Sequence, residues 1–259
     1  MGAPMLAALR NMGARAKGFD VVEKPDQWIT TDVERFTADL ETLITVVRDA
    51  AQTDDVLFGA QNMVNRASKL ARIVICSTLS PRYVKALRDR VPAHITLIDA
   101  PMSGAQIAAE NAALSFMVGG SPTDIEDAQM LFTAMGKHVH HMGPYGAGMQ
   151  AKVLNNLLAA SNTAMTRLVL DWADKTELDQ DKLLNLIHTS SGQNWFASNF
   201  DQIEFARDGL AEDNTIAILV KDVASALDAA PKGADTSLPE QVQKAVSRLG
   251  PRQKNRPDR

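Results

Sequence analysis

Residues 143–156 read GPYGAGMQAKVLNN, a loop of three glycines and a proline that runs straight into an apolar-periodic stretch. The periodic run continues from Met149 to about Trp172 and predicts a helix of about 24 residues, roughly 35 Å long at 1.5 Å per residue. Most helices of compact domains are shorter, so the run reads as a spine joining two halves. Lys152 and Asn156 stand four residues apart and share one helix face. Two readings of the pair stand open. One is a half-exposed lysine with a capping amide. The other is a catalytic pair, in which a lysine of lowered pKa moves a proton while the amide holds a substrate.

Upstream of the loop, strands alternate with helices. Residues 16–22, 40–47, 71–77, 94–98, 114–118 and 137–141 read as strands, and 1–13, 48–58, 80–91 and 123–135 as helices, with Pro81 in a first turn. Several strands are apolar throughout, as in a parallel sheet covered on both faces. This is the doubly wound α/β pattern. Downstream, 149–175, 179–190 and 214–230 read as helices and no strand is evident. The expected organisation is an α/β domain over 1–148, an all-helical domain over 149–249, and a polar, basic tail over 250–259 that is disordered.

Composition narrows the function. Of 259 residues, 45% are apolar and 22% charged, with a net charge of −4, which gives no reason to expect nucleic acid or an anionic membrane as partner. Cys76 is the single cysteine, excluding a disulfide framework and a thiolate metal cluster. No run of 18 apolar residues occurs and the first residues lack a signal-peptide layout. A cytoplasmic protein is expected. His138 and His140 share a strand face while His141 points away, with no acidic ligand beside them, so no metal site is expected.

Four separated stretches together resemble the β-hydroxyacid dehydrogenase family, whose familiar member is 3-hydroxyisobutyrate dehydrogenase. Residues 99–105, DAPMSGA, resemble its substrate loop D-A-P-V-S-G-G. Gly146, Gly148, Lys152, Asn155 and Asn156 resemble its G-x-G-x-x-x-K-x-x-N-N segment. Lys221 with Asp222, and residues 77–81 (STLSP), match two further signatures. The resemblance implies a Rossmann domain joined by the long helix to a helical domain that binds substrate and pairs subunits into a homodimer or homotetramer. It implies Lys152 as general acid/base, Asn156 orienting the substrate, and Ser103 with Gly104 holding its carboxylate. Lys221 is implied as a cation near substrate or cofactor, against the plainer reading of a surface lysine paired with Asp222. Thr78 is implied on the nicotinamide side. Ala105 departs from the family's second glycine and is expected to narrow the loop. Asn155 stands where decarboxylating 6-phosphogluconate relatives carry histidine, which argues for simple alcohol oxidation or aldehyde reduction.

A dinucleotide fold normally begins with a strand followed by G-x-G-x-x-G opening a helix. Here Met1 and Gly2 resemble the end of that fingerprint, so the strand and two earlier glycines are expected before residue 1. A central strand of six apolar residues is worth roughly 10–15 kcal/mol, against a net domain stability of about 5–15 kcal/mol. The recorded start is therefore expected to be internal to a longer protein. Asp20, ending its strand 18 residues after Gly2, is placed to take the ribose hydroxyls of NAD and to repel the 2′-phosphate of NADP. Arg15, Lys17 and Lys24 lie near enough to leave NADP open. The resemblance implies interconversion of a short β-hydroxy acid and its semialdehyde. The rivals are a glyoxylate or tartronate semialdehyde reductase, or a truncated, non-catalytic family member.

Overall fold

A computed structural model of the chain describes residues 1–203, 206–207 and 216–252. It divides into two compact units, Met1–Lys152 and Val153–Arg259.

In the first unit the chain runs through α1 (Gly2–Asn11), β1 (Gly18–Phe19), β2 (Ile29–Thr30), α2 (Val33–Thr37), β3 (Thr42–Thr45), α3 (Ala50–Leu57) and α4 (Met63–Arg66). It continues through β4 (Arg72–Ile75), α5 (Pro81–Arg90), β5 (Thr96–Asp99), β6 (Met102–Ser103), α6 (Ala105–Glu110), β7 (Leu114–Gly119), α7 (Pro122–Met135) and β8 (Gly136–Gly143). The main sheet has the order β3-β4-β5-β7-β6 with β8 on β7, and β1 and β2 form a separate parallel ribbon. Alternate residues of each strand enter opposite apolar layers, as the strand period of two requires. Leu43, Ile73, Ile75 and Leu97 pack with Phe36, Leu57 and Leu87 on one side. Val74, Ile98, Phe116 and Val118 pack with Met5, Leu9, Phe132 and Met135 on the other. Helices on both faces make the doubly wound α/β arrangement expected from the sequence.

The sheet is mixed rather than wholly parallel. Strands β3, β4 and β5 are parallel, as are β7 and β8, but β7 runs antiparallel to β5 and β6. Ten residues separate Ser103 from Leu114, fewer than the dozen or so that a parallel crossover needs. The chain therefore turns back on itself around α6.

Helix α8 (Ala147–Lys175) passes through the boundary between the units. In the second unit it is followed by α9 (Gln180–Thr189), α10 (Trp195–Ser198), α11 (Ala217–Asp228) and α12 (Ser237–Val246). The start of the helix expected over 214–230 lies outside the described residues. Helix α12 lies beyond the helices expected from the sequence and holds Pro239 near its start. That residue stands in the first turn, where backbone N–H groups have no intrahelical acceptor and proline costs nothing. The apolar cores of the unit are Leu170, Leu184, Phe196 and Phe200, and Ala160, Val223, Val242 and Val246. Of the tail expected to be disordered, Gly250 and Arg252 are instead bonded to α8, Gly250 exposed and Arg252 buried. The Gly250 carbonyl accepts from the Arg167 guanidinium, and buried Arg252 pairs with Asp171 and with Asp174. A guanidinium between two carboxylates gives this segment a fixed anchor. The rest of that expectation, 253–259, lies outside the described residues. Among the described residues no helix is long and apolar enough to cross a membrane.

Candidate active site

In a doubly wound sheet, ligands gather at the carboxyl ends of the strands. At that edge of the first unit Asp99 closes β5 with its side chain fully buried. One carboxylate oxygen accepts the Gly146 N–H at 2.6 Å and the other the Met149 N–H at 2.5 Å. These N–H groups belong to the opening turn of α8, where the helix dipole favours a negative charge. Burial pushes the Asp99 carboxyl up to about 6, and the two backbone donors pull it the other way. The approach demands glycine at two points. A Cβ on Gly148 would lie 2.2 Å from the Met117 carbonyl oxygen, and one on Gly119 would lie 2.3 Å from Asp99 Oδ1.

The neighbouring strand ends are tied into the same edge. Ser77 Oγ accepts the Val47 N–H at 2.9 Å, joining the ends of β4 and β3. The Leu79 N–H meets Met149 Sδ at 3.3 Å, and Ser80 caps α5 ahead of Pro81. Thr78 is thereby held on a short, fixed loop beyond β4. Ser103 ends β6, and Gly104 follows with φ of +130°, where a Cβ would stand 2.4 Å from that of Ala108. Ala105 adopts φ of +57°, a left-handed conformation that costs a non-glycine residue roughly 1–2 kcal/mol. The departure from the family's glycine thus appears as backbone strain. Ala105→Gly is expected to raise stability by about 0.5–1 kcal/mol, after the extra entropy of the unfolded chain is subtracted. A lower urea midpoint for the variant than for the parent chain would refute this.

Met1 and Gly2 open α1, which has no side-chain cap on its first turn. Asp20 follows β1, with one oxygen accepting the Val22 N–H at 2.9 Å and the other 3.6 Å from Lys24 Nζ. An uncapped helix N-terminus suits a pyrophosphate and a strand-end carboxylate suits ribose hydroxyls. These residues fit a dinucleotide in its two polar parts.

The second unit holds a buried polar chain. Asn156 Nδ2 donates to Asp222 Oδ2 at 2.6 Å, and Lys221 Nζ lies 3.0 Å from Asp222 Oδ1. Asn155 Nδ2 donates to Asn156 Oδ1 at 3.2 Å. Asp222 is 2% exposed and joins α8 to α11. Lys221 is paired with its neighbour, as the plainer reading held, and through Asp222 is linked to Asn156. Lys152 lies one turn before Asn156 in α8, and each is 7% exposed. The alternative of a half-exposed lysine with a capping amide fails on both counts, since Lys152 is buried and Asn156 sits in the helix interior. Sequence reading missed the parts played by Asp99 and Asp222. Their only signal was that each stood in a recognised stretch.

Among the described residues no three histidine, cysteine or acidic side chains converge on a metal position. His138 and His140 stack at 6.2 Å on exposed β8, and His141 Nε2 contacts the Gly120 and Gly143 carbonyls. Burial raises the Cys76 thiol to about 12, so it stays protonated.

Residues 1–143 match the family model described as the NAD binding domain of 6-phosphogluconate dehydrogenase. Residues 146–258 match the family model described as NAD-binding of NADP-dependent 3-hydroxyisobutyrate dehydrogenase. The chain is 30% identical over 204 residues to 3-hydroxyisobutyrate dehydrogenase of Pseudomonas aeruginosa, covering 75% of this chain and 68% of that one. It is also 30% identical, over 213 residues, to the NAD-dependent L-serine dehydrogenase of the same organism, with the same shares. Against the mitochondrial 3-hydroxyisobutyrate dehydrogenase of Rattus norvegicus the match spans 59% of the relative's length. The solved Mycobacterium tuberculosis 3-hydroxyisobutyrate dehydrogenase with L-serine has the same fold. Its TM-score is 0.76 at 24% identity, covering 95% of this chain and 89% of that one.

Proposed function

The chain belongs to the β-hydroxyacid dehydrogenase family, and on that premise we propose that it interconverts a short-chain β-hydroxy acid and its semialdehyde, with NAD or NADP as hydride carrier. The observation that carries this reading is the buried pair Lys152 and Asn156, one turn apart, with the Asn156 amide held by Asp222. When bound, the nicotinamide takes or gives the hydride at the carbon bearing the hydroxyl. Lys152 removes the hydroxyl proton as the alcohol is oxidised and returns it on reduction. Asn156 orients that hydroxyl. Its amide is fixed beforehand by Asp222, so little reorganisation is needed at reaction. Ser103 and the Gly104 backbone take the substrate carboxylate, and Lys221 adds a nearby positive charge. Met1 and Gly2 receive the pyrophosphate, Thr78 faces the nicotinamide, and Asp20 favours the free 2′-hydroxyl of NAD.

The two Pseudomonas relatives narrow the substrate class. 3-Hydroxyisobutyrate and L-serine share a hydroxymethyl group β to a carboxylate and differ only at C2. A C2-substituted 3-hydroxypropionate is therefore favoured over the two-carbon glycolate–glyoxylate pair, while tartronate semialdehyde, which carries a hydroxyl at C2, stays within the class. The exposed apolar residues Leu154, Leu158, Met165 and Trp172 on α8 support a homodimer or homotetramer, and a monomer in sedimentation would remove that part.

The test is a thermal melt with NAD or NADP, followed by oxidation assays on 3-hydroxyisobutyrate and L-serine. Cofactor at about 100 times its dissociation constant should add roughly 2.7 kcal/mol to the folded state. No shift with either nucleotide, and no oxidation of either acid, would overturn the reading.

A further inference from the structure

Strands β1 and β2 run parallel, yet only the nine residues 20–28 join them, and none of these is helical. A parallel crossover normally takes a dozen or more residues and lays a helix over the strands it joins. This link is too short for such a cover, and Trp28, just before β2, stays 44% exposed. A cavity of about 610 Å³ opens at the uncovered place. Small-molecule sites occupy about 300–1,000 Å³.

The cavity is formed by the stretch that leads from α1 into β1, the stretch that leads into β2, and Arg35 of α2. It gathers around the amino-terminal ends of the two strands. Asp20 stands beyond the carboxyl end of β1, three residues on from Lys17 and so roughly 10 Å away along an extended chain. Dinucleotides bind at carboxyl ends, so the cavity is separate from the residues proposed to bind cofactor.

Its wall carries the cations Arg10, Arg15, Lys17 and Arg35 and no acidic side chain, although the chain as a whole has a net charge of −4. Two of the cations are fixed. Arg10 donates to the Ala16 carbonyl at 2.6 Å, with its guanidinium 3.2 Å from the centre of the Trp28 ring. Lys17 Nζ donates to the Arg35 carbonyl at 2.8 Å. Arg15 and Arg35 are exposed, and neither guanidinium makes a hydrogen bond or ion pair among the described residues. The acidic side chains nearby are engaged elsewhere. Asp26 accepts the Trp28 N–H at 2.8 Å, Asp32 accepts the Arg35 N–H at 3.1 Å, and Glu34 pairs with Arg66. Lys69 bonds Asp39 at 3.0 Å and holds its carboxyl below the ordinary value, with Lys17 and Arg15 adding to the pull. The cavity thus concentrates positive charge with no counterion on its own wall.

We propose that this cavity binds a phosphate-bearing small molecule, its phosphate oxygens taken by Arg15, Arg35 and Lys17 beside the wall that Arg10 makes with Trp28. Guanidinium forks match phosphate oxygens in pairs. Lys17 keeps donors beyond the one it gives to the Arg35 carbonyl, because an ammonium carries three. The site is independent of what the chain catalyses.

The test titrates the whole 259-residue chain with inorganic pyrophosphate by calorimetry at low ionic strength. The expected result is saturable, one-to-one binding. Replacing both arginines, Arg15→Gln with Arg35→Gln, should weaken it at least about tenfold. Neither side chain holds a bond in the fold, so the double variant should melt as the parent does. Lys137→Gln with Lys232→Gln removes the same charge from exposed residues that do not line the cavity, and should change the affinity by less than about twofold. In nitrogen-15 spectra the Trp28 indole N–H should shift on addition of pyrophosphate, while those of Trp172 and Trp195 stay in place. Full binding by the arginine double variant would put the anion elsewhere, such as the first turn of α1, and overturn the proposal. Equal weakening by the lysine pair would reduce the attraction to diffuse charge and overturn it as well. So would the lack of saturable binding up to about 10 mM.

Discussion

Asp99→Asn is expected to leave the protein about 2 kcal/mol less stable near pH 4.5, and the deficit should shrink by up to about 2 kcal/mol by pH 7.5. The first figure follows from the donors. Protonated or ionised, the Asp99 carboxyl keeps an oxygen lone pair for each of the Gly146 and Met149 N–H groups. Asparagine offers one acceptor, and its NH₂ group faces the second N–H, leaving a buried donor unpaired. The second figure follows from titration. Burial raises the Asp99 carboxyl from 3.8 to about 6, so the folded state holds this proton more tightly than the unfolded chain. That contribution is fully present below about pH 4 and is lost as pH rises through about 6. Asparagine does not ionise, so the variant lacks the decline. Urea unfolding of both proteins across this range measures the difference directly. A deficit that stays constant with pH would mean that Asp99 titrates as an ordinary carboxylate and that its burial carries no such cost.

The same residue shows where sequence reading stops. Helix α8 was legible because an apolar period sustained from Met149 to Trp172 has few other solutions. The buried strands β4 and β5 were legible as short apolar runs between turn residues. The clamp from Asp99 to α8 spans 47 positions along the chain and the one from Asp222 to Asn156 spans 66. No local pattern encodes either. Both aspartates looked like motif letters, and only packing shows that one caps a helix and the other fixes an amide. The antiparallel return at β7 was hidden for a related reason, because an apolar run reads alike in either direction and only the short link around α6 decides. For β1 a strand over 16–22 was expected, and the ladder covers Gly18–Phe19 alone, since it is paired on one side only. Lys152 and Asn156 were placed correctly on one face by spacing, but their burial is a tertiary fact.

Lys152→Met is expected to lower kcat by about 10²–10⁴-fold, the range for losing a positioned acid/base, while stability changes by less than about 1.5 kcal/mol. Lys152 is 7% exposed, and methionine keeps an unbranched chain of similar reach without a charge to bury. If Lys152 served only to hold the fold, the outcome would reverse, with stability falling and turnover surviving in whatever fraction stays folded. Lys152→Arg separates the remaining possibilities. It keeps the positive charge but cannot release a proton near neutral pH. A lysine acting as acid/base predicts that the arginine variant is as inactive as the methionine one, and that both lose the pH-dependent limb of kcat. A lysine acting only as a fixed charge predicts that arginine retains most of the rate with an altered KM. Single-turnover oxidation of 3-hydroxyisobutyrate by the three proteins reads these outcomes apart, because it reports the chemical step without product release. Substantial turnover by Lys152→Arg would move the proton-transfer role away from α8 altogether.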